Sequence, residues 1–123
     1  MRVVDTSLWI EYLADGPLAD HAEKCINPLE TCIVPAMVYY ELVKWSRRSF
    51  DAEKSKTIMS LVTECRLAAM DENVAEEAAT QSTQHKLHAT DAIIYATAQL
   101  MGAELFTCDA HFKDLPGVAY REK

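Results

Sequence analysis

One stretch constrains this chain more than any other: Ala92-Ile93-Ile94-Tyr95-Ala96-Thr97-Ala98, apolar on nearly every side of a helix and opened by a carboxylate, Asp91. A helix without a polar face has to be buried, so the rest of the chain must wrap around it. Short apolar runs alternate with stretches of helical periodicity on both sides of the sequence. Arg2–Val4, Thr31–Val34, Arg66–Met70 and Glu104–Thr107 read as strands, with Val118–Tyr120 as a fifth at an edge. Thr6–Ala14, Leu18–Ile26, Ala36–Arg48 and Asp51–Glu64 read as helices, and Pro35 suits the first turn of the third of these. Asn73 with Glu76 three residues later resembles a capping box that starts another helix. The buried helix, Asp91–Met101, should stop at Gly102. The alternation predicts an α/β layered fold with a mostly parallel sheet, one domain spanning residues 1–123.

Composition narrows the function classes. The net charge of −7 argues against a broad basic nucleic-acid-binding face, while leaving room for an RNA enzyme whose metal ions neutralise an acidic pocket. No apolar stretch reaches the roughly 18 residues of a membrane span. Met1-Arg2-Val3-Val4-Asp5 leaves no room for a signal peptide before its first charged break, so the expected location is cytoplasmic, with no membrane partner. The four cysteines, Cys25, Cys32, Cys65 and Cys108, form no C-x-x-C pair. They are expected as free thiols, with Cys32 and Cys65 as small core residues.

Four acids interrupt or border the apolar segments. Asp5 follows Val3-Val4, Asp109 follows the fourth strand, Asp91 opens the buried helix and Glu41 lies within the third helix. Each has an ordinary structural explanation: a helix cap for Asp5, a dipole-favoured position for Asp91, a turn for Asp109, a solvated face for Glu41. Their joint placement says more. In parallel sheets, sites form beyond the carboxyl ends of the strands, and Asp5 and Asp109 both fall there. If strands one and four are neighbours, these two emerge side by side and the buried helix brings Asp91 to the same mouth. Like charges about 4 Å apart repel by about 4 kcal/mol at an effective dielectric near 20, so such a group must hold a proton or a cation. An all-oxygen set favours Mg²⁺, with Mn²⁺ as a substitute, over zinc. Phosphodiester hydrolysis is the chemistry that follows. His85 and His88 are expected as solvated residues at a helix end, and His111 as a loop residue near Asp109.

Lys44 and Arg48 lie three and seven residues after Glu41 on one helix face, with Arg47 nearby, a strip suited to RNA phosphates or, equally, to a solvated helix end. Trp9, Tyr12, Tyr39, Tyr40 and Trp45 concentrate in the first half, some for the core and others for a groove.

These blocks resemble the PIN-domain ribonucleases and, within them, the VapC-type toxins of bacterial and archaeal toxin–antitoxin pairs. Val3-Val4-Asp5-Thr6-Ser7 is similar to the family's opening strand and Asp-Thr-Asn or Asp-Thr-Ser. Pro35–Leu42 is similar to its second block, with the acid in a helix. Asp91–Ala98 matches a block written Asp-Ala-x-Ile-Ala-Ala-Thr-Ala, and Leu105–Phe112 one written Leu-x-Thr-x-Asp-x-x-Phe. The resemblance implies a three-layer α/β/α PIN fold with a four- or five-stranded sheet. It implies Mg²⁺-dependent endoribonuclease activity on RNA such as transfer or ribosomal RNA, inhibition by a cognate VapB-like antitoxin, and a homodimer. Carried across, Asp5, Glu41, Asp91 and Asp109 would be the catalytic metal-binding set. Thr6 or Ser7 would orient Asp5, and Thr107 would brace the last strand end.

Two other readings fit parts of the pattern. One is a catalytically inactive PIN-fold module that binds RNA or protein. The other is a phosphoacceptor receiver domain, which wants an adjacent acidic pair after strand one and a lysine near the last strand. Here a single Asp5 ends strand one, and no lysine follows strand four before Lys113.

Overall fold

The computed structural model describes residues 1–123. In chain order the elements are β1 (Arg2–Val4), α1 (Thr6–Leu13), α2 (Ala19–Ile26), β2 (Cys32–Pro35), α3 (Ala36–Ser49), α4 (Ala52–Val62), β3 (Arg66–Ala68), α5 (Glu72–His85), α6 (Ala89–Leu100), β4 (Glu104–Thr107) and β5 (Val118–Tyr120). The strands form one sheet in the order β3-β2-β1-β4-β5, and every pairing is parallel. Helices flank the sheet to give three α/β/α layers. The chain starts in the middle of the sheet, moves outward through β2 and β3, then returns to place β4 on the other side of β1. That reversal creates a crevice between β1 and β4 at the carboxyl edge, the position where open α/β sheets bind ligands. Val4 lies opposite Phe106, and the Asp5 amide still donates to the Phe106 carbonyl at 2.9 Å, so the residues after the two strands leave the sheet together.

The helix α6 is the buried element that its composition demands. Ala92, Ile94, Tyr95, Ala96, Thr97 and Ala98 are all buried. Its two polar side chains on that surface are satisfied, Thr97 Oγ1 donating to the Ile93 carbonyl at 2.8 Å and the Tyr95 hydroxyl to Pro116 at 2.6 Å. Gly102, at φ +60°, ends the helix: the Ala103 amide donates to Ala98 O at 2.9 Å and the Gly102 amide to Gln99 O at 3.2 Å. This is a Schellman closure, which needs a left-handed residue at that position. Val3, Val4, Leu8, Trp9, Ile33, Val34, Leu42 and Leu105 complete the core and are fully buried. All four cysteines are free and buried, with Cys32 and Cys65 in the core.

Several boundaries differ from the sequence reading, three of them at helix starts. Asp71, not Asn73, caps α5, its carboxylate accepting the Val74 amide at 3.0 Å, so the helix starts earlier. Pro35 is the last residue of β2, opposite Ala68, and stands just before α3 rather than inside its first turn. His88 takes the cap position of α6, so the helix starts at Ala89 and Asp91 is its third residue rather than its first.

A buried acid also escaped the sequence reading. Glu11 accepts the Leu18 amide at 2.8 Å and lies 3.4 Å from Lys123 Nζ, tying together the α1–α2 corner. A Cβ at Gly16 would stand 2.6 Å from Glu11 Oε1, so only glycine lets the carboxylate occupy this space.

Candidate active site

Asp5 leaves β1 at the crevice and is 3% exposed. It occupies the position preceding α1 but makes no capping hydrogen bond, so the helix-cap explanation does not account for it. Instead Ser7 Oγ and Thr107 Oγ1 each donate to its Oδ2 at 2.8 Å. These hydroxyls stitch the ends of β1 and β4. Ser7 Oγ accepts the Cys108 amide at 3.2 Å, and Thr107 Oγ1 accepts the Asp109 amide at 2.9 Å. Thr6 has a different partner, donating to Glu41 Oε1 at 2.6 Å. Of the two hydroxyls following Asp5, then, Ser7 orients that acid and Thr6 holds Glu41.

Asp91 in the first turn of α6 and Asp109 after β4 face each other across the mouth, with side chains 16% and 31% exposed. His111 Nδ1 lies 3.4 Å from Asp91 Oδ2 and 3.1 Å from Asp109 Oδ1. One ligand atom from each of these three residues lies within 4.8 Å of the other two. His111, expected as a loop residue near Asp109, lies in a single 3-10 turn, and its exposed ring bridges two of the acids. The cause is local. Asp109 Oδ1 accepts the His111 amide at 2.9 Å, an Asx-type turn that folds the chain back and swings the imidazole over the carboxylate. An Asp followed two residues later by His was the signal available in the sequence. His85 is not simply solvated, since it packs edge-on against Tyr95 at 5.8 Å. His88 stays exposed, 6.0 Å from the His111 ring.

The electrostatics reflect this crowding. The Asp5 carboxyl is pushed up to about 6, first by burial and further by the charge of Asp109, while the Ser7 and Thr107 hydroxyls pull it back. Asp91 is raised as well, by burial first, then by Asp109 and Glu41, against the lowering influence of His111 and His88. Four acids from four elements therefore act on one another, and few cations offset them. Carboxylates in this state bind a proton or a divalent cation. The donors, several carboxylate oxygens with one imidazole at the rim, suit a hard ion such as Mg²⁺ or Mn²⁺.

The basic strip divides. Lys44 and Arg48 line a cleft that also contains Glu41 and Thr6. Arg47 faces a separate groove between α3 and α4, with Tyr39, Phe50 and Lys56. Trp9 is fully buried, whereas Tyr40 is 56% exposed.

Comparisons with known proteins agree with this architecture. The family model described as PIN domain matches residues 2–118. A toxin–antitoxin complex from Klebsiella pneumoniae contains a chain superposing with a TM-score of 0.88 at 22% identity over 100% of both chains. A DNA-bound VapBC from Salmonella typhimurium superposes at 0.80 with 16% identity over 99% of this chain and 98% of the other. The Mycobacterium tuberculosis VapC20 toxin, described as cleaving the sarcin–ricin loop, superposes at 0.79 with 19% identity over 98% and 99%. No curated protein matches the sequence significantly. The match to the family model over nearly the whole chain, on a parallel sheet whose switch point gathers the acids, makes this chain a member of the PIN domain family.

Proposed function

We propose that this chain is a VapC-type toxin, a Mg²⁺-dependent endoribonuclease that hydrolyses phosphodiester bonds in a structured RNA such as transfer or ribosomal RNA. The observation that supports the reading is the meeting of Asp91, Asp109 and His111 at the carboxyl edge of the sheet, with buried Asp5 beside them under the charge of Asp109. Asp5, Asp91 and Asp109 would hold the cation, and Glu41 would complete or adjust the site. When bound, the ion supplies the positive charge that acidifies water and offsets charge building on the phosphoryl oxygens.

The chain's own residues do the positioning. Ser7 and Thr107 fix Asp5 through one oxygen. Thr6 engages one oxygen of Glu41 and fixes that side chain beside the mouth. His111, between Asp91 and Asp109 at the rim, offers an imidazole nitrogen to the same space. Lys44 and Arg48 are suited to the flanking phosphates.

The structural relatives include toxin–antitoxin complexes, which supports a VapB-like antitoxin as partner in the cytoplasm. No helix is long and apolar enough to cross a membrane. The exposed Leu67 and Met70, at and beyond the edge strand β3, suit a protein partner or a second copy in a homodimer.

The deciding experiment is RNA cleavage by purified protein with Mg²⁺, with EDTA, and with Asp91→Asn. Cleavage leaving 5′-phosphate ends should occur only with the parent protein and Mg²⁺, while Asp91→Asn stays folded and inactive. Equal cleavage by Asp91→Asn overturns the proposal. Mg²⁺ that raises the melting temperature without any RNA cleavage would instead indicate a binding module.

A further inference from the structure

A cleft of about 390 Å³ opens beside the carboxylates, between α3 and the start of α1 and α6. Tyr40, Lys44, Trp45 and Arg48 form its α3 side, Ile10 and Thr90 face them, and Glu41 joins it to the acidic mouth. Three side chains of this cleft make no hydrogen bond or ion pair within the chain. Tyr40 is 56% exposed and its hydroxyl makes no hydrogen bond within the chain. Lys44 and Arg48 are exposed and take part in none of the three ion pairs, in a chain whose net charge is −7. Arg48, in the last turn of α3, is favoured by the helix dipole. Lys44 lies further inside the helix, and the dipole does not account for Tyr40. Trp45, by contrast, is held edge-on against Phe50 at 5.5 Å and forms a fixed wall.

An exposed aromatic beside two unpaired cations is the arrangement that binds single-stranded nucleic acid, because the ring stacks on a base face while the cations take the phosphates. A base inside an A-form duplex is already stacked on both sides and cannot offer its face. The cleft volume falls in the range of small-molecule sites, room for one nucleotide and not for a helix.

We propose that this cleft is a nucleotide subsite: it takes one unpaired base of RNA on Tyr40, with Lys44 and Arg48 on the adjoining phosphates, and so presents the neighbouring phosphodiester to Asp5, Asp91 and Asp109. This rests on the ribonuclease reading for the identity of the polymer, and the test separates the two.

Binding is measured in an Asp91→Asn background, so that RNA stays intact, using a short single-stranded RNA carrying 2-aminopurine and the same sequence as a duplex. The single strand should bind more tightly, with its fluorescence quenched on stacking. Tyr40→Ala should weaken binding roughly 5- to 150-fold, and Tyr40→Phe should retain it. Lys44→Ala and Arg48→Ala should each flatten the salt dependence, by about 0.7 in the slope of log K against log salt. Tyr40 is exposed, so an unchanged melting temperature verifies that Tyr40→Ala is folded. Binding by Tyr40→Ala within twofold of the parent, or equal affinity for duplex and single strand, overturns the subsite. In active protein, Tyr40→Ala should raise KM and spare kcat. If the parent cuts RNA and Tyr40→Ala leaves KM unchanged, the subsite falls and the nuclease stands. If nothing is cut but Tyr40-dependent binding persists, the nuclease reading falls and the subsite stands.

Discussion

Arg2 and Asp5 flank the same two buried valines of β1, yet the two ends of this strand are solved differently. Arg2 donates to the carbonyls of Cys25, Ile26 and Pro28 and to Thr31 Oγ1, the first two being carbonyls at the end of α2 that the helix itself leaves open. Its charge also sits at the negative end of that helix, where a cation is favoured. Asp5 has two hydroxyl donors but lies among other carboxylates, and it is driven toward its protonated form. A charge given enough neutral partners is scaffold. A charge gathered with others of its own sign, and given too few donors, is a site that requires something from outside.

The largest expected effect separating the two ends is the pH dependence of the metal-free protein. Asp5 has a folded value of about 6 against an ordinary 3.8. The folded chain thus binds the proton more tightly than the unfolded chain, so this contribution is complete below about pH 4 and lost as pH rises through about 6. The gap corresponds to about 3 kcal/mol, and Asp91 acts in the same direction. Unfolding in denaturant should therefore show parent stability falling relative to Asp5→Asn between pH 4 and 7.5. Mg²⁺ should restore it at pH 7.5 and do little at pH 5. A parent-minus-variant difference that is flat with pH would remove the electrostatic account of the site.

At the other end of β1, Arg2→Met keeps the side-chain stem and deletes its hydrogen bonds. It should cost about 2 kcal/mol of stability, because the α2 carbonyls lose a charged donor, while RNA cleavage per folded molecule stays at the parent level. Reduced cleavage in fully folded Arg2→Met would show that the two ends are not independent.

Ser7→Ala gives the smallest of these effects. Removing one of the two hydroxyls on Asp5 should lower Mg²⁺ affinity about 10-fold and change stability by no more than about 1 kcal/mol. Calorimetric Mg²⁺ titration provides the measurement, with Thr6→Val as a comparison that loosens Glu41 instead. Unaltered affinity in Ser7→Ala would mean that the hydroxyl belongs to the strand ends alone.

Much of this fold is legible one segment at a time. The run from Ala92 to Ala98 announces a buried helix, Gly102 announces its end, and short apolar runs before Asp5 and Asp109 announce strands that stop at acids. These signals act within a few residues, through backbone hydrogen bonding and side-chain periodicity. Legibility failed where two local solutions compete, as at Asp71 and Asn73, and where a turn redirects one side chain, as at His111. Glu11 was missed because a buried carboxylate in an amphipathic helix looks like any solvated one until its partner at Leu18 is known.

By itself the sequence determined the elements, the alternating class of fold and the short set of acids that no apolar segment would carry without cause. The tertiary structure decided that β4 returns beside β1, so that Asp5 and Asp109 share one crevice, and that Ser7 serves Asp5 while Thr6 serves Glu41. It also separated Arg47 from Lys44 and Arg48, neighbours in sequence that line different grooves. The reason lies in range: helical and strand periods are set by contacts a few residues apart, whereas strand order and the side chains meeting at a sheet edge depend on packing between segments a hundred residues apart, such as Ser7 and Thr107.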